Sequence, residues 1–118
     1  MTNTTTSFTY NPGGLGDVTC YLFTSEDYLN VYATVELGSY TAFDTEAYCK
    51  LTLQRYVGGY WDNIDTKRGF AKSSGQNLNV TFNNIAKKTL AMRVILDLYT
   101  DSGYTDKVKT VYGNQWIR

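Results

Sequence analysis

Hydrophobic and polar residues alternate along several stretches of the chain, which is the pattern of β-strands with one buried face. The clearest stretch is 28–37, where one side of the predicted strand carries only aliphatic residues: Leu29, Val31, Ala33, Val35 and Leu37. The same alternation marks 17–23, 45–56, 78–82, 90–99 and 105–115. A further strand is predicted at 60–66, which makes seven in all.

Turn residues separate these strands. Gly58 and Gly59 supply the positive φ angles of a tight two-residue hairpin loop between 45–56 and 60–66. In the second of these strands Trp61 and Ile64 lie three positions apart, which breaks the period of two and predicts a β-bulge. We expect Trp61 to lie in the core, as large aromatic residues commonly do.

Seven short strands at regular spacing predict an all-β fold, and specifically an antiparallel β-sandwich of the immunoglobulin or fibronectin type. A small jelly roll is the alternative. The composition agrees, because 11 Tyr, 5 Phe and 2 Trp but only one Pro occur among 118 residues. Residues 1–16 are predicted to form a polar N-terminal arm, and residues 17–118 a single sandwich domain.

The two cysteines fall on core-facing positions of two different predicted strands. Cys20 is two residues from both Val18 and Leu22, and Cys49 is two residues from both Ala47 and Leu51, so each cysteine shares the predicted core-facing side of its strand with these apolar residues. They are either two buried thiols that pack as small hydrophobic groups, or one disulfide worth roughly 3–4 kcal/mol. The even count and the absence of a CxxC motif argue against metal or redox chemistry. We predict the Cys20–Cys49 disulfide and, with it, an exported protein.

Charge and composition exclude several functions. Eleven Lys and Arg balance eleven Asp and Glu, so the chain lacks the positive excess that binds nucleic acid or an anionic membrane surface. No stretch approaches the roughly 18 apolar residues of a membrane-spanning helix. The chain has no histidine, and it has no GxSxG, SxxK or calcium-loop spacing. We therefore predict no enzymatic activity, no cofactor and no metal site.

Four tyrosines are the candidate binding residues. Tyr28 and Tyr32 share the polar face of one predicted strand, and Tyr48 and Tyr56 share that of another. If these two strands are neighbours, the four rings form an exposed stripe that can stack on sugar rings or anchor a protein interface. The simpler interpretation is that the tyrosines stabilise the sheet as cross-strand pairs, or face a second side of the core.

Three segments resemble a known group of proteins. They are LTLQRYVGGYWDNI at 51–64, LNVYATVELGSY at 29–40 and KKTLAMRVILDLYTDSG at 87–103. Over 17–113 the chain resembles small secreted β-sandwich proteins of Gram-positive, Clostridia-like bacteria. The resemblance implies export and a sandwich fold, and it implies no activity. Residues 1–7 lack the features of a signal peptide, so a secreted chain would already have lost it.

Two functions follow as expectations. The first is an exported, non-enzymatic binding or adhesion module that presents its aromatic face to a glycan, a protein or a second copy of itself outside the cell. The alternative is a structural subunit of a phage or virus particle, with reduced thiols, or of a surface appendage built by strand exchange. Neither function involves nucleic acid or insertion into a membrane.

Overall fold

The computed structural model describes residues 3–118 and contains nine strands. They are β1 (Asn3–Tyr10), β2 (Val18–Glu26), β3 (Val31–Glu36), β4 (Glu46–Val57), β5 (Tyr60–Lys72), β6 (Leu78–Phe82), β7 (Ala91–Tyr99), β8 (Lys107–Tyr112) and β9 (Trp116–Ile117). Across these residues the only helical element is a short 3₁₀ turn, Pro12–Gly14. Accordingly, the part of the chain that the structure describes has no helix long and apolar enough to span a bilayer. The predicted all-β class is confirmed.

The strands form two antiparallel sheets that pack face to face. Sheet A has the order β1-β2-β3-β6, and sheet B has the order β5-β4-β7-β8, with β9 also paired to β7. The predicted β-sandwich is confirmed. Because β3 belongs to sheet A and β4 to sheet B, the chain crosses from one sheet to the other between these two strands.

The core lies between the inner faces of the two sheets. Alternate side chains of β2, β3, β4 and β7 point into it, as the sequence pattern predicts. Full burial of each aliphatic side chain contributes about 1.5–3 kcal/mol relative to exposure. The most completely buried side chains include Leu22, Val31, Val35, Leu51, Leu53, Phe82, Met92, Val94, Leu96 and Leu98.

Two strands were missing from the sequence-based prediction. Residues Asn3–Tyr10, expected to lie in a polar arm, instead form β1 and pair with β2 along their whole length. Threonine is β-branched and favours an extended strand, although it is polar. The polar composition of this segment is therefore compatible with a strand, and its Phe8 and Tyr10 are buried. The last predicted strand is divided at Gly113, whose backbone N–H donates to the carbonyl oxygen of Val94 at 2.9 Å.

The hairpin of β4 and β5 shows both predicted features. Gly58 and Gly59 have φ angles of +60° and +91° in the two-residue loop. Farther along, the register shifts and leaves Ile64 without a partner on β4, which confirms the bulge. The bulge exchanges the two faces of β5, so Trp61 lies beside Tyr56 on the outer face and the prediction that it is in the core is wrong.

Both cysteines lie in the core, as predicted, but they are free thiols and the predicted disulfide is not formed. Each sulfur instead lies close to a carbonyl of its own strand, Cys20 Sγ at 3.9 Å from Val18 O and Cys49 Sγ at 3.8 Å from Ala47 O. The Gly38 N–H also donates to Cys20 Sγ. Burial raises the pKa of Cys20, and raises that of Cys49 to about 12, because an apolar surrounding disfavours the thiolate.

Candidate functional site

The four predicted tyrosines do not form one stripe. Tyr32 lies on β3 of sheet A, and Tyr28 lies in the turn between β2 and β3. Tyr48 and Tyr56 instead lie on the outer face of sheet B. The stripe required β3 and β4 to be neighbours, and these strands are in different sheets. The prediction is therefore wrong in its geometry, although Tyr48 and Tyr56 do share the outer face of sheet B.

Tyr32 has a structural role in the turn between β2 and β3. Its hydroxyl donates to Asp27 Oδ2 at 2.5 Å, and Asp27 Oδ1 accepts the N–H groups of Leu29 and Asn30 at 2.9 and 2.7 Å. These bonds lower the pKa of Asp27, chiefly through the tyrosine hydroxyl. Tyr28 lies in this turn and is 79% exposed.

The outer face of sheet B carries two aromatic clusters. Tyr48 and Tyr56 stand eight residues apart on β4, which corresponds to roughly 27 Å at the rise of an antiparallel strand. Each tyrosine belongs to a group of rings contributed by several strands. We call these groups the Tyr48 cluster (Tyr48, Arg68, Phe70, Tyr99 and Tyr104) and the Trp61 cluster (Gln54, Tyr56, Trp61, Asn63, Arg93 and Tyr112).

The Tyr48 cluster is a set of edge-on and tilted rings. The Tyr48 ring centre is 5.0 Å from that of Phe70 and 6.1 Å from that of Tyr104. Tyr104 also meets Tyr99 at 5.4 Å, and the guanidinium of Arg68 lies 5.3 Å from its ring centre. Partial burial among these rings raises the pKa of the Tyr104 hydroxyl. The cluster is a partly buried surface of mutually packed aromatic rings.

The Trp61 cluster combines rings with a cation. Tyr56 and Trp61 meet edge to face at 5.2 Å, and the Arg93 guanidinium carbon lies 4.1 Å from the Trp61 ring centre and 4.9 Å from that of Tyr112. Arg93 Nε donates to Gln54 Oε1 at 2.8 Å. Tyr56 is 42% exposed and Tyr112 is 59% exposed, so the cluster meets solvent.

Polar side chains occupy the surface between the two clusters. Thr110 donates to Asp97 Oδ1 at 2.7 Å, and Lys107 Nζ lies 3.7 Å from the same oxygen. Thr52 and Thr66 face each other across β4 and β5, with their hydroxyls 3.5 Å apart. The face therefore offers aromatic surface at both ends and hydroxyl and charged groups in the middle.

A cavity of about 360 Å³ lies at one end of the sandwich. The β2–β3 turn and the segment between β6 and β7 border it, and its lining residues are Tyr28, Leu29, Asn84, Ile85, Ala86 and Lys87. The Lys87 ammonium lies 5.3 Å from the Tyr28 ring centre and is the one charged group among these lining residues. The lining of the cavity is therefore mainly apolar, and Lys87 is the one ionised side chain among the lining residues that the structure describes.

The acidic and sulfur side chains do not gather into a metal site in the described region. Within residues 3–118, no three Cys, Asp or Glu side chains come together in a way that could hold a metal ion. Asp101 instead organises the loop before β8. It accepts the backbone N–H and the hydroxyl of Thr105 and the N–H of Asp106, and the hydroxyl bond is the main reason that its pKa is lowered.

Comparison of the sequence with protein-family models and with curated proteins, and comparison with solved structures, finds no match for this chain.

Sequence reasoning did not single out Arg93 and Tyr112, and it placed Trp61 in the core. Strand pairing brings these residues together. Arg93 is opposite Gln54, Trp61 is opposite Tyr56, and Tyr112 is opposite Ile95. A strand pattern states which side a residue faces but not which strand lies next to it. The cluster is therefore visible only once the order β5-β4-β7-β8 is known.

Proposed function

We propose that the chain is a non-enzymatic carbohydrate-binding module, and that the outer face of sheet B holds an extended sugar chain. The observation that carries the proposal is the placement of two aromatic clusters on one face of one sheet, roughly 27 Å apart along β4. A ligand that contacts both clusters must be long, and a polysaccharide offers the same ring surfaces repeatedly along its length.

The chemistry of the face suits such a ligand. Aromatic rings stack on the apolar faces of sugars, and they contribute area at a low cost in side-chain entropy. The rings of Tyr56 and Trp61 already hold each other in place, so less freedom is lost on binding. The partly exposed hydroxyls of Thr66 and Thr110 lie between the clusters, where the sugar hydroxyls would need partners.

An extracellular location belongs to this proposal. Support comes from the class of ligand and from the resemblance to small secreted sandwich proteins. The free Cys20 and Cys49 thiols give it no support, since the disulfide was the reason for expecting export. An immunoglobulin-like arrangement of the sandwich is likewise part of the proposal, because strand alternation in two packed antiparallel sheets is compatible with it.

The experiment is isothermal titration of the protein with a panel of soluble neutral and acidic polysaccharides. We expect a ligand whose affinity falls at least tenfold, about 1.4 kcal/mol, in Trp61→Ala and also in Tyr48→Ala. Tyr21→Ala is the matched control, because Tyr21 is an exposed tyrosine on sheet A, and it should bind as the wild type does. Circular dichroism would establish that each variant is folded.

Two results would overturn the proposal. One is the absence of binding to any polysaccharide of the panel by the folded wild-type protein. The other is a ligand whose affinity is the same in the wild type, in Trp61→Ala and in Tyr48→Ala, since the face would then play no part in recognition.

A second candidate is a structural subunit of a particle or surface appendage. The free thiols support it, because a subunit assembled inside a reducing cell keeps them. The position of β1 at an edge of sheet A also supports it, because edge strands are the elements that subunits pair or exchange. Light scattering should then give a stable oligomer at micromolar concentration, whereas a monomer at every concentration would exclude this function.

A further inference from the structure

We propose that the ligand of the sheet B face is an acidic polysaccharide, and that Arg93 binds the carboxylate of one of its sugars. This inference rests on the carbohydrate-binding function proposed above and adds the charge class of the ligand. Three features of the Trp61 cluster support it: the contacts that order the guanidinium, its lack of an acidic partner within the described residues, and its planar shape beside two aromatic rings.

Two aromatic rings and one hydrogen bond hold the guanidinium of Arg93 in place. The rings of Trp61 and Tyr112 lie over it at 4.1 and 4.9 Å from its central carbon. Its Nε donates to Gln54 Oε1, and the amide of Gln54 in turn donates to Asn63 Oδ1, both at 2.8 Å. A long, flexible side chain is thereby ordered before any ligand arrives, which removes an entropy cost from binding.

The charge of Arg93 has no acidic partner in the part of the chain that the structure describes. The ion pairs found in residues 3–118 join Lys67 to Asp65, Lys107 to Asp97 and Arg118 to Glu26. Asp97, the next acid along β7 on the same face, is engaged by Lys107 and Thr110. Arginine carries five N–H donors, of which Nε is used here, so the Nη groups remain for a ligand.

The planar shape of the Arg93 guanidinium favours a flat anion. A carboxylate is planar and accepts two parallel N–H bonds from one guanidinium in the same plane. The Trp61 and Tyr112 rings, whose centres lie 4.1 and 4.9 Å from the guanidinium carbon, occupy part of the space around it and leave less room for a bulkier anion. A sugar that carries a carboxylate can therefore place its acid group against Arg93 while its neighbours in the chain continue toward the Tyr48 cluster.

The test compares one polymer with and without its charge. The full chain is titrated with polygalacturonate, alginate and hyaluronate, each alongside the same polymer after reduction of its carboxyl groups to alcohols. We expect at least one acidic form to bind at least tenfold more tightly than its reduced form. Arg93→Gln should remove this preference, and Arg93→Lys should remove most of it, because lysine keeps the charge but lacks the planar fork.

Lys87→Gln is the matched control. Lys87 also lies against an aromatic ring, that of Tyr28 at 5.3 Å, but it lines the cavity beside the β2–β3 turn and not the outer face of sheet B, so this variant should keep the preference for the acidic polymer. Circular dichroism and thermal unfolding of all three variants would show that the fold is intact.

The possible failures separate the two proposals. Equal affinity for the acidic and reduced polymers, or an unchanged preference in Arg93→Gln, overturns the acidic-ligand inference and leaves carbohydrate binding in place. Tighter binding of dextran sulfate that depends on Arg93 also overturns it, since the site would then select a sulfate ester. Failure to bind any polymer, charged or neutral, overturns the carbohydrate-binding function itself.

Discussion

Arg118 and Glu26 form an ion pair with 2.8 Å between Nη1 and Oε1, and their side chains are 0% and 9% exposed. Glu26 Oε1 also accepts the indole N–H of Trp116 at 3.1 Å. Arg118 further donates to the carbonyl oxygens of Asp27, Tyr28 and Ile85. This pair therefore joins the segment after β9 to the β2–β3 turn and to the segment after β6.

Removal of Glu26 should destabilise the protein strongly. Glu26→Ala leaves the buried Arg118 cation without this carboxylate, and such a change costs about 3–5 kcal/mol. Urea unfolding would measure the difference. The control is Asp65→Ala, which removes the exposed Lys67–Asp65 pair and should cost less than about 1 kcal/mol. Equal losses in the two variants would contradict this account of the buried pair.

The two thiols should be protected in the folded protein. Cys20 and Cys49 are fully buried, and burial raises the pKa of both, that of Cys49 to about 12. Because the thiolate is the reactive form, we expect no labelling by N-ethylmaleimide under native conditions at pH 7 and two labels after denaturation in urea. Intact mass spectrometry would count the labels. A native mass two hydrogens lower, with no labelling after denaturation, would instead show the disulfide.

The bond from Tyr32 to Asp27 should make stability depend on pH. The pKa of Asp27 is lowered in the folded state, so its ionised form stabilises the fold above the unfolded pKa of about 3.9. This contribution is lost as pH falls through the lower, folded pKa. We therefore expect the wild type to exceed Asp27→Asn in stability at pH 7, and the difference to shrink below about pH 4.

Urea unfolding between pH 2 and pH 7 would measure this dependence. Tyr32→Phe removes the largest cause of the lowered pKa of Asp27, so its stability should vary less over the acid range. Tyr21→Phe, which alters an exposed tyrosine on the same side of sheet A, should follow the wild-type curve. Identical acid dependence in the wild type and in Tyr32→Phe would contradict the assignment.

Gly38 should not tolerate a side chain. A Cβ atom at this position would lie 2.2 Å from the carbonyl oxygen of Thr19, which belongs to the backbone of β2. The backbone must shift to relieve this contact, so we expect Gly38→Ala to cost about 1–3 kcal/mol in thermal unfolding. The exposed neighbour provides the control, since Ser39→Ala should stay within about 0.5 kcal/mol of the wild type. A Gly38→Ala variant as stable as Ser39→Ala would show that the contact is easily relieved.

The candidate site shows where sequence reasoning failed. The sequence predicts the bulge at Ile64, but the bulge also reverses the faces of the residues before it, and for this reason Trp61 lies on the outer face and not in the core. Tyr48 and Tyr56 were correctly placed on one polar face, whereas Tyr28 and Tyr32 belong elsewhere because β3 and β4 lie in different sheets. The β1 strand was missed because its threonines made a partly buried strand look like a polar arm.

The sequence by itself determined the all-β class, the positions of the central strands, the side of each that faces the core and the Gly58–Gly59 hairpin. Each of these follows from local backbone geometry, in which side chains alternate with a period of two and glycine adopts positive φ at little cost. Only the tertiary structure decided that Trp61, Arg93 and Tyr112 meet, and that Cys20 and Cys49 remain separate thiols. Those relations depend on which strands are neighbours and in what register, and this is settled by packing between residues that are distant in the chain.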